Sequence, residues 1–160
     1  MQVAPVTPAQ HDSLIDLLRE LHAFYNDGAE VSHDIVREHL LQNLLGPQSP
    51  HILVVASEGH TVLGLAAITL VYSLVEPSPE LRKHCQLKEL YVRSNVRSQG
   101  AGRALMAWVA RHALAQGCCR IDWPVKATNA RGIAFYEKLG AERVVERLSY
   151  RLSSEAMRRL

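Results

Sequence analysis

The stretch SNVRSQGAGRALMAW, residues 94–108, sets Gly100 and Gly102 between an apolar run and a helix-forming run. Glycine loses more backbone entropy on ordering than any other residue, so this pair points to an unusual backbone or a close-approaching ligand. At a helix start, the amides of Gln99, Gly100, Ala101, Gly102 and Arg103 would lack helical partners and attract phosphate oxygens, aided by the helix dipole. Arg97 and Arg103 add positive charge. A Rossmann fingerprint needs a small residue three positions after the second glycine, where Leu105 stands, and a Walker loop needs a Gly-Lys-Ser/Thr that is missing. The same residues also fit a strand-to-helix turn that only requires glycine. Upstream, Glu89 is an acidic side chain on the preceding strand, with His84 nearby. Downstream, Ile133, Phe135, Tyr136 and Leu139 share one apolar arc of a helix, so Tyr136 faces inward. A core tyrosine with a satisfied hydroxyl has the same pattern. Asn129 is placed to cap that helix.

Periodicity gives the strands and helices on which these residues stand. Residues 2–7 read as a first strand. TPAQHDSLIDLLRELHAFYN reads as a helix with Thr7 as cap, Pro8 in the first turn and a stripe of Leu14, Leu17, Leu18 and Leu21. SHDIVREHLLQNLL reads as a second helix capped by Ser32 and stopped by GPQSP. HILVVASEGHTVLGLAAITLVYS reads as two strands joined at residues 58–60. After the polar loop VEPSPELRKHC come the strand QLKELYVR, the glycine segment and the helix AGRALMAWVARHALAQG. CRIDWPV alternates as a strand, although Pro124 would remove a ladder donor unless the neighbouring strand has diverged there or the strand ends early. The helix ARGIAFYEKLG and an alternating strand RVVERLSYRLS close the chain. A strand–helix–strand crossover implies a parallel pair near the middle of the sheet.

The chain has 160 residues, 48% of them hydrophobic, enough to build one domain with its own core. A formal net charge of +2 is too small to indicate nucleic acid. Cys85, Cys118 and Cys119 are odd in number, and two are adjacent, as expected of reduced packing thiols in a cytoplasmic protein. Nothing in the sequence activates Cys85 as a nucleophile. The N-terminal residues show no signal-peptide pattern and no apolar run suits a bilayer, so no membrane association is expected. No zinc-like spacing suggests a metal.

RSQGAG after the strand LKELYV resembles the acetyl-coenzyme A loop of the GNAT N-acetyltransferase superfamily, and DWPVKATNARGIAFYEKLGAE resembles its later Asn–helix–Phe-Tyr–Leu-Gly-Ala stretch. The resemblance implies an α/β GNAT fold over residues 1–160, with a mixed central sheet of about six to seven strands, about four flanking helices and splayed central parallel strands. It implies that the loop Arg97, Ser98, Gln99, Gly100, Ala101, Gly102 and Arg103 binds the coenzyme, the backbone amides of residues 99–103 holding its diphosphate and Arg97 and Arg103 adding charge. Backbone groups of Leu90, Tyr91 and Val92, with the Asn129 side chain, would hold its pantetheine arm. Tyr136 would protonate the departing thiolate, and Glu89 is the candidate base, although some relatives carry their acid where Lys88 or Gln86 stands here. Substrate would enter near residues 21–34, where Phe24, Tyr25 and Asp27 suit a cationic amine. DWPVKATN bears some likeness to the diamine and polyamine branch. The expected activity is direct acetyl transfer from acetyl-CoA to a primary amine of a small molecule, without a metal. The alternative is an acyl-CoA-binding module that senses or partners without turnover. Many members of the superfamily dimerise, and TVLGLAAITLVYS could contribute to a homodimer.

Overall fold

A computed structural model describes residues 1–160. Apolar periodicity and local caps set the first elements. Strand β1 (Gln2–Pro5) leads into a 3-10 turn at Pro8–Gln10, where the Gln10 Oε1 atom accepts from the Thr7 amide at 3.0 Å. Helix α1 (His11–Tyr25) follows, burying Leu14, Ile15 and Leu17. Helix α2 (His33–Glu38) is capped by Ser32 Oγ and widens into a π-type turn at His39–Leu44. Strands β2 (Ile52–Glu58) and β3 (Thr61–Tyr72) form the expected hairpin, and β4 (Lys83–Val92) pairs antiparallel with β3. Helix α3 (Ala101–Ala115) then crosses over to β5 (Ile121–Asp122), which pairs parallel to β4. The sheet order is β1-β2-β3-β4-β5.

The residues group into two compact units, Met1–Trp123 and Pro124–Leu160. In the first, α1 and α2 cover one face of the sheet, where Leu14, Ile15, Leu17, Val36 and Leu40 pack with Leu53, Val55, Leu65 and Tyr91. Leu105, Met106 and Val109 of α3 are buried, and α3 packs on β2, β3 and β4. Both edges of β3 are paired and its residues 64–69 are buried, so this strand offers no free edge to a second copy. The second unit holds α4 (Ala130–Lys138) and α5 (Ser154–Met157).

Three expectations are corrected. The sheet has five strands, not six to seven, and a short fifth helix, α5, follows the four expected. The strand expected over CRIDWPV is only Ile121–Asp122, ending before Trp123 and Pro124, where a missing N–H would break any ladder. The alternating segment RVVERLSYRLS forms no strand, and its Val145, Leu148 and Tyr150 are 82%, 77% and 89% exposed. Alternation prescribes which faces side chains take, but a strand also needs a partner's backbone, and this segment has none in the sheet. The parallel β4–β5 pairing covers only Cys85 with Ile121 and Gln86 with Asp122, so β4 runs on from Leu87 to Val92 without a neighbour on that side.

Candidate functional site

The glycine segment is built as a helix entry. A 3-10 turn at Ser94–Val96 follows β4, closed by the Val96 amide on the Arg93 carbonyl at 3.1 Å. Ser98 then takes φ +67° and Gly100 φ +91°, left-handed values that favour glycine at the second position. The Ala104 amide donates to the Gly100 carbonyl at 2.9 Å, so the amides of Ala101, Gly102 and Arg103 precede the first helical rung of α3. A Cβ placed on Gly100 would meet nothing within 4 Å. The 15-residue helix thus starts at open space, with Gln99, Gly100 and Arg103 exposed, an arrangement that favours an anion at its N-terminus.

Glu89 is positioned by a device the sequence does not announce. In the β3–β4 register Ala67 pairs with Glu89 but Ile68 pairs with Leu87, leaving Lys88 as an extra residue. A bulge of this kind resets the two-residue alternation. Cys85 and Leu87 therefore lie on one face, and Glu89 and Tyr91 lie on the other, toward α1. Tyr91 accordingly joins the α1 core cluster, and the Tyr25 hydroxyl of α1 donates to Glu89 Oε1 at 3.4 Å. The same oxygen accepts from the Leu90 amide at 3.1 Å. Burial pushes the Glu89 carboxyl above its ordinary range, against the two hydrogen bonds that lower it. Burial and the facing Glu89 raise the Tyr25 hydroxyl in turn.

Arg97 is turned back onto the protein. Its guanidinium lies 5.6 Å from the Phe24 ring centre and 5.3 Å from that of Tyr91, and its Nε donates to the Val92 carbonyl at 3.0 Å. The two rings are themselves 5.7 Å apart. The Leu90 amide and the Val92 carbonyl, both expected to pair with the pantetheine arm, thus have partners in Glu89 and Arg97. Glu20, which sequence reasoning missed, accepts from the Tyr91 hydroxyl at 3.0 Å and from the Ser94 amide at 2.9 Å. Burial alone would raise its carboxyl, yet Ser94, Tyr91 and Arg93 together hold it below the usual carboxylate range.

The first unit therefore brings together Phe24, Tyr25, Glu89, Tyr91 and Arg97 beside the loop. Asp27 is not drawn in: it is exposed, in a left-handed turn at φ +52° after α1. Asn129 and Tyr136 belong to the second unit. Asn129 caps α4 as expected, its Oδ1 accepting from the Gly132 amide at 2.9 Å. Ile133, Phe135, Tyr136 and Leu139 are all half-buried on one arc of α4, and the Phe135 and Tyr136 rings meet edge-on at 5.3 Å. Cys85 is fully buried, and burial pushes its thiol up to about 11, which leaves it protonated and inert at neutral pH.

A family model described as "Acetyltransferase (GNAT) family" matches residues 14–141. A thialysine N-epsilon-acetyltransferase of Mus musculus is 32% identical over 107 residues, 65% of this chain and 60% of the relative. An L-ornithine N5-acetyltransferase of Arabidopsis thaliana is 31% identical over 81 residues, 51% of this chain and 36% of that protein. The chain thus spans less than two thirds of the length of either relative. An integron cassette protein from the mobile metagenome of V. cholerae superposes with a TM-score of 0.88 at 26% identity, covering 99% of this chain and 95% of that one. A probable acetyltransferase superposes with a TM-score of 0.79 at 21% identity, covering 96% and 97%. With the family model spanning most of its length, the chain belongs to the acetyltransferase (GNAT) family.

Proposed function

We propose that residues 1–160 act as one N-acetyltransferase domain that moves an acetyl group from acetyl-CoA to the primary amine of a small molecule. The observation that carries this reading is the placement of the open, glycine-bearing start of α3 and the half-buried carboxylate of Glu89 on successive elements of one unit. The relatives' names, which specify a side-chain amine, support a diamine-like or amino-acid acceptor.

The amides of residues 99–103 bind the diphosphate, with the side chains of Ser98 and Arg103 at its rim and Arg97 supplying charge from behind. Leu90, Tyr91 and Val92 lie on the stretch of β4 that β5 does not pair and receive the extended arm, which displaces Glu89 from the Leu90 amide and Arg97 from the Val92 carbonyl, with the Asn129 side chain as a further polar partner. The coenzyme supplies a thioester, whose carbonyl is the electrophile. Phe24 and Tyr25 present aromatic surface to a cationic acceptor, and Asp27, exposed in the turn after α1 and outside that cluster, adds negative charge to its approach. A lysine-like amine has a pKa near 10.4, so it must lose a proton before or as it attacks. Glu89 receives that proton, directly or through a water. Tyr136 donates its phenolic proton as charge builds on the departing sulfur, since a phenol near 10 is too weak an acid to transfer it earlier. The buried, protonated state of Cys85 supports direct transfer over an acyl-enzyme. A metal-free site and a cytoplasmic setting are part of the same reading.

Thiol release from acetyl-CoA, measured across a panel holding thialysine, L-ornithine, lysine and short diamines, tests the proposal. We expect turnover of at least one amine and a thermal shift with coenzyme A. Binding of coenzyme A without turnover of any primary amine overturns the enzyme reading in favour of a non-catalytic module. No stabilisation at millimolar coenzyme A overturns the donor assignment, because a ligand that binds the native state must stabilise it.

A further inference from the structure

Glu20 sits on α1, far from the glycine segment in sequence, yet its carboxylate is spent on the residues that lead into it. Oε1 accepts from the Ser94 amide at 2.9 Å and the Tyr91 hydroxyl at 3.0 Å, and Oε2 lies 3.4 Å from Arg93 Nη1. Arg93 in turn donates from Nε to the Val62 carbonyl at 2.7 Å and from Nη2 to the Ser13 carbonyl at 2.9 Å. The Ser13 hydroxyl completes the frame by accepting from the Val62 amide at 2.8 Å. One helical turn beyond Glu20 stands Phe24, one of the two rings over Arg97; the other is Tyr91, which Glu20 holds by its hydroxyl.

We propose that Glu20 is a positioning residue for the donor loop, fixing its first residue, Ser94, and the Tyr91 ring on which Arg97 rests. This rests on the reading of that loop as the acetyl-CoA cradle. A charged acceptor on a backbone amide makes a strong, directional hydrogen bond. Holding the start of the 94–100 segment before the coenzyme arrives removes part of the ordering cost from binding. The hydrogen bonds of Glu20 go to Tyr91, Arg93 and Ser94 rather than to Glu89, so its loss weakens donor binding and leaves the chemical step intact.

The test is coenzyme A affinity by calorimetry, together with KM for acetyl-CoA and kcat, in the full chain. Glu20→Ala raises Kd and KM about ten-fold, the factor expected for one charge-assisted hydrogen bond, and changes kcat little. Glu20→Gln keeps the Oε1 acceptor and stays within about three-fold of the unaltered chain. Ser94→Pro removes the donor at the start of a 3-10 turn, where proline is tolerated, and Arg93 at φ −46° and ψ 138° already suits a residue before proline. It reproduces the Glu20→Ala loss and does not add to it in the double variant. A folded Glu20→Ala chain that loses melting temperature but keeps Kd within about two-fold overturns the proposal, because a merely structural role moves stability alone. If Glu20→Ala does not fold, an unchanged Kd in Ser94→Pro overturns it. A Glu20→Gln loss equal to that of Glu20→Ala also overturns it. Absence of coenzyme A binding by the unaltered chain instead overturns the donor reading, and this inference with it.

Discussion

Glu89 is a carboxylate whose surroundings favour its neutral form, and two opposite consequences follow. In its proposed role of proton acceptor it must be ionised, so kcat/KM should rise with pH through an apparent pKa above the ordinary 4.5, and Glu89→Gln should lose that limb. A pH–rate profile of both proteins checks this. For stability the sign reverses. A folded pKa raised above the unfolded one means the folded state binds the proton more tightly, so the favourable contribution is full at low pH and is lost as pH rises through the folded value. Glu89→Gln should therefore melt at a higher temperature than the unaltered chain at neutral pH while turning over less, the trade expected of a group kept for chemistry. Glu20 is the mirror case. Its depressed pKa contributes stability above the ordinary 4.5 that is lost on acidification through the lower folded value. At Tyr136 the loss is one phenolic proton: Tyr136→Phe should lower kcat by about 10²-fold with little change in KM for acetyl-CoA, read by thiol release.

Among the elements, the strand–loop–helix run from β4 to α3 carries most of the site, and two glycines test its construction. Gly64 of β3 lies under the end of β4, where a Cβ would come 2.9 Å from the Tyr91 carbonyl oxygen and 3.2 Å from Leu105 Cδ1 and Val92 Cγ2. Backbone cannot yield there, so Gly64→Ala should destabilise by roughly 1–3 kcal/mol, as overpacking does. Gly100 has the opposite environment, with free space around a Cβ but φ +91°. Gly100→Ala should cost about 1 kcal/mol from the left-handed backbone and also weaken coenzyme A binding by intruding on the cradle. Urea midpoints for both, with calorimetry for the second, decide. The bulge at Lys88 belongs to this scale as well. By shifting the alternation one residue, it gives Cys85 and Leu87 to one face and Glu89 and Tyr91 to the other, so that one strand serves both a hydrophobic layer and the side that meets Tyr25.

For the whole chain, hydrogen exchange should rank the elements by how many backbone partners they have. The amides of β2, β3 and β4, paired and largely buried, should be slowest. Those of residues 143–152, where the one backbone bond is Arg147 to the Val144 carbonyl at 3.4 Å, should exchange fastest; slow exchange across 143–152 would show that the segment pairs in solution. That segment also marks a limit of legibility. Its alternation is as clean as that of β4, but alternation is a property of one stretch, whereas a strand belongs to two. The features legible from residue order alone are local: the hairpin at residues 58–60, the start of α3 at the two glycines, the caps at Ser32 and Asn129, and the amphipathic arc bearing Tyr136. Each depends on residues within a turn or two of one another, where propensity and capping decide. Which distant groups meet is set by the folded chain. Tyr25 reaches Glu89 across 64 positions and Glu20 reaches Ser94 across 74. Those meetings depend on strand register, on a one-residue bulge and on how α1 lies over the sheet, and no spacing along the chain encodes them, because register is settled by the burial of many side chains at once.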